Sequence, residues 1–172
     1  MLKRNTVLVL SVFAAVWMAC GSGEVEKGKP EGWITFNEGM ELAAKAGKPV
    51  IIDFYTSWCK WCTVMDKETF LNTEVKGILE KEFITIRINA EDRTDKLKYN
   101  GKVYTPAQLT KHFAVRGFPS LAYLESDGNK IMVVPGFKKP KEFLMTLAYI
   151  SEGCYRKNIT LDSYLQKGGK CN

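Results

Sequence analysis

Residues 50–62 read VIIDFYTSWCKWC. Val50, Ile51, Ile52 and Phe54 form a short apolar run rich in β-branched side chains, the composition of a strand covered on both faces. One acid, Asp53, stands inside that run, and Cys59 and Cys62 follow with two residues between them. A helix is predicted from Lys60 through Thr63, Val64 and Met65 towards Phe70, so the cysteines lie at a strand-to-helix junction. A cysteine attacks only as the thiolate, and the positive potential at a helix N-terminus lowers its pKa. Cys59 occupies that place and is expected to be partly exposed. Cys62, one turn on, is within reach of a mixed disulfide formed at Cys59. Two thiols so placed pass a disulfide to or from another protein with no metal and no organic cofactor. The competing reading is half of a zinc site. Its remaining ligands would have to come from Cys154, Cys171 and the single His112, far along the chain.

Working outward, Pro49 breaks the chain before the strand, and Gly47 closes a helix predicted over Phe36–Ala46. Trp33–Thr35 is compatible with a short strand. Thr73–Lys81 has apolar residues at helical spacing, and residues 83–88 alternate with period two, a strand signature. Residues 89–104 are polar and show no obvious element. Thr105-Pro106 starts a helix that runs to Phe113 and carries His112 at its surface or partly packed. Ser120–Glu125 and Lys130–Val134 flank Ser126-Asp127-Gly128-Asn129, a hairpin turn. Pro140 starts a last long helix, and Thr160 precedes a short one containing Leu161, Tyr164 and Leu165. Alternating strands and helices define an α/β layout.

The 172 residues, 45% hydrophobic and 26% charged, suffice for one domain with modest extensions. The formal charge of +6 is spread along the chain, the pattern of a solvated surface rather than a nucleic-acid footprint. The N-terminus MLKRNTVLVLSVFAAVWMAC has a basic start and an apolar stretch from Val7 to Ala19, too short for a comfortable membrane span but suited to export. Ala19-Cys20-Gly21-Ser22-Gly23 resembles a bacterial lipoprotein signal with Cys20 as the lipidated residue. Trp17 and Met18 depart from that pattern, which keeps ordinary cleavage or an uncleaved anchor open. The expected organisation is a signal segment at 1–20, a flexible tether at 21–32, a domain at 33–152 and an extension at 153–172. Export permits disulfides, so Cys154 and Cys171 are a candidate structural bridge, the alternative being two free thiols.

Three segments, Asp53-Phe54-Tyr55, Trp58-Cys59-Lys60-Trp61-Cys62 and Val115-Arg116-Gly117-Phe118-Pro119-Ser120, resemble the thioredoxin superfamily. With the lead-in Gly47-Lys48-Pro49, the chain looks most like exported members such as the C-terminal domain of DsbD and the SoxW-type proteins. The resemblance implies a thioredoxin fold, a central mixed β-sheet flanked by helices, here with a short C-terminal helical extension. It implies that Asp53 lies buried below the active site and moves the proton of the resolving thiol Cys62, a task suited to a carboxyl whose pKa burial has raised. It also implies a cis Pro119, with the Phe118 backbone free to pair with an extended substrate strand, and Trp58 shaping the docking surface. Arg87 stands where the family often carries a lysine near the buried acid, and its direction is left open.

Two departures leave matters open. Lys60-Trp61 is neither the Gly-Pro of cytosolic thioredoxins nor the Pro-His of strong oxidants, and this dipeptide largely sets redox direction. Residues 89–104 exceed the family's usual connection, as a partner-specific loop or a tolerated insertion. The favoured expectation is a monomeric, periplasmic thiol:disulfide oxidoreductase that reduces protein disulfides, fed by a membrane electron-donor protein and tethered through Cys20. The rivals are a disulfide oxidant or isomerase, and a redox-inert binding lipoprotein with a static 59–62 bridge.

Overall fold

The computed structural model describes residue 30 and residues 32–171. The expected signal segment with Cys20, and nearly all of the expected tether, lie outside the described residues. The first helix, α1 (Phe36–Ala46), turns Phe36, Gly39 and Ala43 inward. Gly47 ends it at φ 66°, a left-handed conformation that glycine adopts without strain, and its N–H bonds Ala43 O at 2.9 Å. Strand β1 (Val50–Tyr55) follows, then α2 (Lys60–Met65), which continues into a π-helical turn at Asp66–Phe70. Asn72 caps α3 (Thr73–Glu82), its side chain accepting from the N–H groups of Glu74 and Val75. Next come β2 (Ile84–Asn89), the short strands β3 (Leu97–Tyr99) and β4 (Lys102–Tyr104), and α4 (Pro106–His112). Thr105 and Gln108 form a reciprocal capping box at the start of α4. The chain closes with β5 (Ser120–Leu124), β6 (Lys130–Pro135), α5 (Pro140–Ser151), a 3₁₀ turn at Cys154–Lys157 and α6 (Leu161–Gln166).

The main sheet runs β2-β1-β5-β6, with β1 parallel to β2 and every other pairing antiparallel. Alternation along β1 divides the interior into two cores. Val50, Ile52 and Phe54 join Phe36, Ile86, Leu109 and Phe113 on the side of α1 and α4. Ile51 joins Met65, Phe70, Leu79, Phe143 and Leu147 on the side of α2, α3 and α5. Each such side chain contributes about 1.5–3 kcal/mol on burial, which explains an apolar run with almost no polar relief. The extension folds back: Tyr164 of α6 is buried in the second of these cores, and its ring lies 5.4 Å from that of Tyr149. Cys154 and Cys171 are disulfide-bonded, with Cα atoms 5.4 Å apart.

Three local readings need correction. Trp33–Thr35 is no strand but a single parallel bridge, Ile34 to Ile86, because Thr35 already serves as the N-cap of α1. The helix expected over 60–70 changes pitch at Asp66, so that Asp66 reaches Arg87 while Thr69 and Phe70 are buried. Residues 89–104 are ordered rather than featureless, and β3 pairs antiparallel with β4. Three-residue strands are too short to show a period. Tertiary partners hold them: Asn37 bonds Lys96 O and the Lys98 N–H, and the Tyr99 hydroxyl donates to Gly128 O at 2.9 Å. His112 is exposed, with its ring against those of Tyr99, Tyr104 and Phe113.

A Cβ at Gly39 would collide with Cγ1 and Cδ1 of Ile86, itself fully buried. Gly39→Ala should therefore lose about 1–3 kcal/mol in urea denaturation, although alanine favours a helix by about 1 kcal/mol. Unchanged or increased stability would show that α1 slides off the sheet at no cost. For the extension, Cys154→Ser should lose about 3 kcal/mol, the loop-closure value for a bridge of this span, and leave the potential of the 59–62 pair unchanged. Equal unfolding midpoints for variant and wild type would refute a stabilising role.

Candidate active site

The site begins with a strand register. Asp53 in β1 is paired with Arg87 in β2, so both side chains leave the sheet on the same face. Asp53 is 1% exposed, its Oδ2 is 3.2 Å from Arg87 Nε, and its Oδ1 has no hydrogen-bond partner among the described residues. Arg87 Nη2 donates to Asp66 Oδ2 at 2.8 Å, and the guanidinium lies 4.2 Å over the Tyr55 ring. One buried cation thus serves two carboxylates, one from β1 and one from the turn that follows α2. Burial pushes the Asp53 carboxyl up to about 7, against the pull of Arg87 and with a smaller push from the Asp66 charge. Burial also raises Asp66, opposed by its hydrogen bond to Arg87 and by the Arg87 charge.

Past Tyr55 the chain turns, the Cys59 N–H bonding Thr56 O at 3.2 Å, and Cys59 becomes the N-cap of α2. Cys59 and Cys62 form a disulfide with Cα atoms 5.3 Å apart. The Cys62 N–H donates to Cys59 Sγ at 3.1 Å, a contact that stabilises charge on that sulfur. The expected contrast in exposure is absent: Cys59 is 5% and Cys62 3% exposed, so both residues of the bonded pair are buried. What separates them is the backbone N–H on Cys59.

Aromatic side chains surround the pair. Trp58 and Trp61 are 69% and 57% exposed. Trp58 meets the Phe118 ring edge-on at 6.1 Å, and Trp61 lies 5.5 Å from Phe137. The Phe118–Pro119 peptide bond is cis. Glu91 clamps the entry to the site, one oxygen accepting from Trp58 Nε1 at 2.8 Å and the other from Ser57 N and Oγ. These bonds, the indole first, hold the Glu91 carboxyl below its ordinary pKa. A cavity of about 390 Å³ is lined by Tyr55, Arg87, Asp92 and Lys96, among others, but by neither cysteine. One cluster of metal-ligand types, Glu152, Cys154 and Cys171, occurs among the described residues, and its two sulfurs are bonded to each other.

Residues 36–151 match the thioredoxin-like domain family. The chain belongs to that family. Its Cys59-Lys60-Trp61-Cys62 segment is a thioredoxin-fold active-site disulfide. The chain is similar to the thiol:disulfide interchange protein DsbD of Ralstonia nicotianae, at 28% identity over 113 residues, covering 64% of this chain and 17% of that protein. DsbD of Yersinia pestis is 32% identical over 108 residues, with 62% and 16% covered. The chain therefore spans about a sixth of the length of these curated relatives. A thioredoxin-fold protein from Helicobacter pylori shares the fold with a TM-score of 0.62 at 20% identity, covering 79% of this chain and 83% of that one. A thioredoxin from Thermus thermophilus does so with a TM-score of 0.57 at 20% identity, covering 71% and 88%.

Sequence reasoning singled out Asp53, Trp58, Cys59, Cys62, Phe118 and Pro119. It left the direction of Arg87 open and passed over Asp66, Glu91 and Phe137. An arginine opposite Asp53 in the middle of β2, between Ile86 and Ile88, was the available signal for a buried ion pair.

The raised Asp53 pKa has a definite consequence for stability. Between about pH 4 and pH 7 the native state keeps a proton that the unfolded chain has lost. That interaction is complete below the unfolded pKa and is lost as pH rises through about 7. Asp53→Asn should match wild type near pH 4, then gain on it by a few kcal/mol up to about pH 8 and no further. Denaturation midpoints measured at several pH values check this, and a constant difference between the two proteins would refute it.

Proposed function

We propose that this chain is an exported thiol:disulfide oxidoreductase that reduces protein disulfides through Cys59 and Cys62. The observation that carries the reading is a disulfide whose first sulfur accepts a backbone N–H, in a fold that also buries a carboxyl titrating near neutrality. In the reduced protein the Cys59 thiolate attacks one sulfur of a client disulfide. The client's other sulfur leaves as a thiolate and takes a proton from water. Cys62 then gives its proton to Asp53 and attacks Cys59 Sγ in the mixed disulfide. The client's second sulfur departs as a thiolate and takes a proton from water, leaving the client with two thiols and this chain with its 59–62 disulfide. Two electrons have moved, and a dithiol donor must return them. An Asp53 pKa of about 7 suits the carboxyl to take the Cys62 proton and release it in the next cycle.

Trp58, Phe118, Trp61 and Phe137 form the apolar surface on which the client segment docks, with the cis Pro119 leaving the Phe118 backbone available to an extended strand. The same reading places the domain at 33–152, the signal at 1–20, the tether at 21–32 and the bridged extension at 153–172. Export to the periplasm, lipidation at Cys20 and a membrane electron donor belong to this proposal. They draw support from the N-terminal sequence and from the relatives named as thiol:disulfide interchange proteins.

Cys62→Ser should accumulate mixed disulfides with client proteins, visible on non-reducing gels and lost with dithiothreitol, whereas Cys59→Ser should accumulate none. The reverse pattern would exchange the two roles. Equilibration with glutathione sets the direction. A 59–62 potential well below about −200 mV supports reduction, and one above about −150 mV makes the chain an oxidant.

A further inference from the structure

The chain holds a second disulfide, and its surroundings oppose those of the first. Glu152 Oε2 lies 3.3 Å from Cys171 Sγ and 3.7 Å from Cys154 Sγ. Tyr164, 2% exposed as a residue, lies beside Glu152, whose charge helps burial raise the phenol's pKa. Glu152 is also the C-cap of α5, where the helix dipole disfavours an acid. Helix stability therefore gives no reason for this carboxylate, and its Oε2 stands against both sulfurs. At the active site a backbone N–H points at Cys59 Sγ; here a carboxylate faces the bond.

We propose that Glu152, seated against both sulfurs, is an electrostatic guard that excludes the Cys154–Cys171 disulfide from thiol exchange, so that a chain carrying reactive dithiols does not reduce its own extension or that of another copy. Reduction requires a thiolate to attack one sulfur, break the S–S bond and release the other as a cysteine thiolate. A second thiol completes the reaction, giving two cysteine thiols and one oxidised reductant. Negative charge is present on the attacking group and grows on the leaving sulfur, in both cases beside Glu152. The carboxylate repels the first and makes the second a poorer leaving group. Buried Cys154 leaves attack to the Cys171 side, where the carboxylate lies nearer. Basic residues nearby, Arg156, Lys157, Lys167 and Lys170, act in the opposite sense, and Arg156 is committed to Glu125 at 2.6 Å.

The test measures reduction of each disulfide in the full chain by timed alkylation and peptide mass analysis at low salt. The probes are a cationic thiol, cysteamine, and an anionic one, mercaptoethanesulfonate. Glu152→Gln should speed attack by the anionic thiol at the tail bond about five- to tenfold. It should lower the cation-to-anion rate ratio there about fivefold. Glu152→Asp should restore most of that ratio, and rates at 59–62 should not change in any variant. A substitution that merely loosened the extension would speed both thiols equally, so an unchanged ratio in Glu152→Gln overturns the proposal whatever happens to the absolute rates. A ratio that shifts equally at 59–62 overturns it as well, by showing a charge effect that is not local to the tail.

Discussion

Covering β1 on both faces leaves Asp53 without water, and a buried carboxyl must either stay protonated or find a cation. The molecule does part of each. Parallel pairing with β2 brings Arg87 opposite, but Arg87 is shared with Asp66, so Asp53 is stabilised only enough to titrate near neutrality. A one-residue slip of β2 would carry Arg87 to the other face of the sheet and set Ile86 or Ile88 against the acid. The sheet register, the pitch change after α2 and the electrostatics around Asp53 are therefore one constraint. The ring of Tyr55 over the guanidinium completes the enclosure.

The two disulfides show how one covalent bond is given two chemical characters by its neighbours. Cys59–Cys62 lies at the mouth of a strand–helix junction, with a backbone donor on one sulfur and exposed indoles beside it. Cys154–Cys171 ties α6 to the end of α5, with one sulfur buried and a carboxylate against both. Cα separations of 5.3 and 5.4 Å are almost identical, so the bonds differ in their electrostatic surroundings and in the loops they close, 3 against 17 residues, and not in Cα span.

The polar segment after β2 has a structural task that its composition conceals. Its second residue beyond the strand, Glu91, takes three hydrogen bonds from Ser57 and Trp58 and fixes the indole beside the cysteines. Further on, Asp92 accepts from Thr94 N and Oγ1 at 2.7 Å, a local turn that leads into the β3–β4 hairpin. The extra length is thus built around the entry to the site.

What the sequence determined by itself was the sum of local rules. Apolar periodicity located α1, α3, β2 and α5, a continuous apolar run located β1, and a hairpin turn located β5 and β6. The Thr105-Pro106 start marked α4, and the spacing of Cys59 and Cys62 next to a strand declared the chemistry. Such signals are local because they depend on neighbours within one or two turns. Tertiary structure decided the rest. Arg87 could have faced either way until β2 was registered against β1. Asp66 and Glu91 carried no signal in the sequence until the fold set a guanidinium and an indole before them. β3 and β4, at three residues each, have no period to read and exist because Asn37 and Gly128 supply partners from elsewhere in the chain. Glu152 differs only in kind of partner: in the sequence it is a charge at the end of a helix, and only the folding back of α6 sets it against two sulfurs 2 and 19 residues away. A side chain's charge belongs to the sequence, but the field in which it acts is made by groups that only the fold brings near.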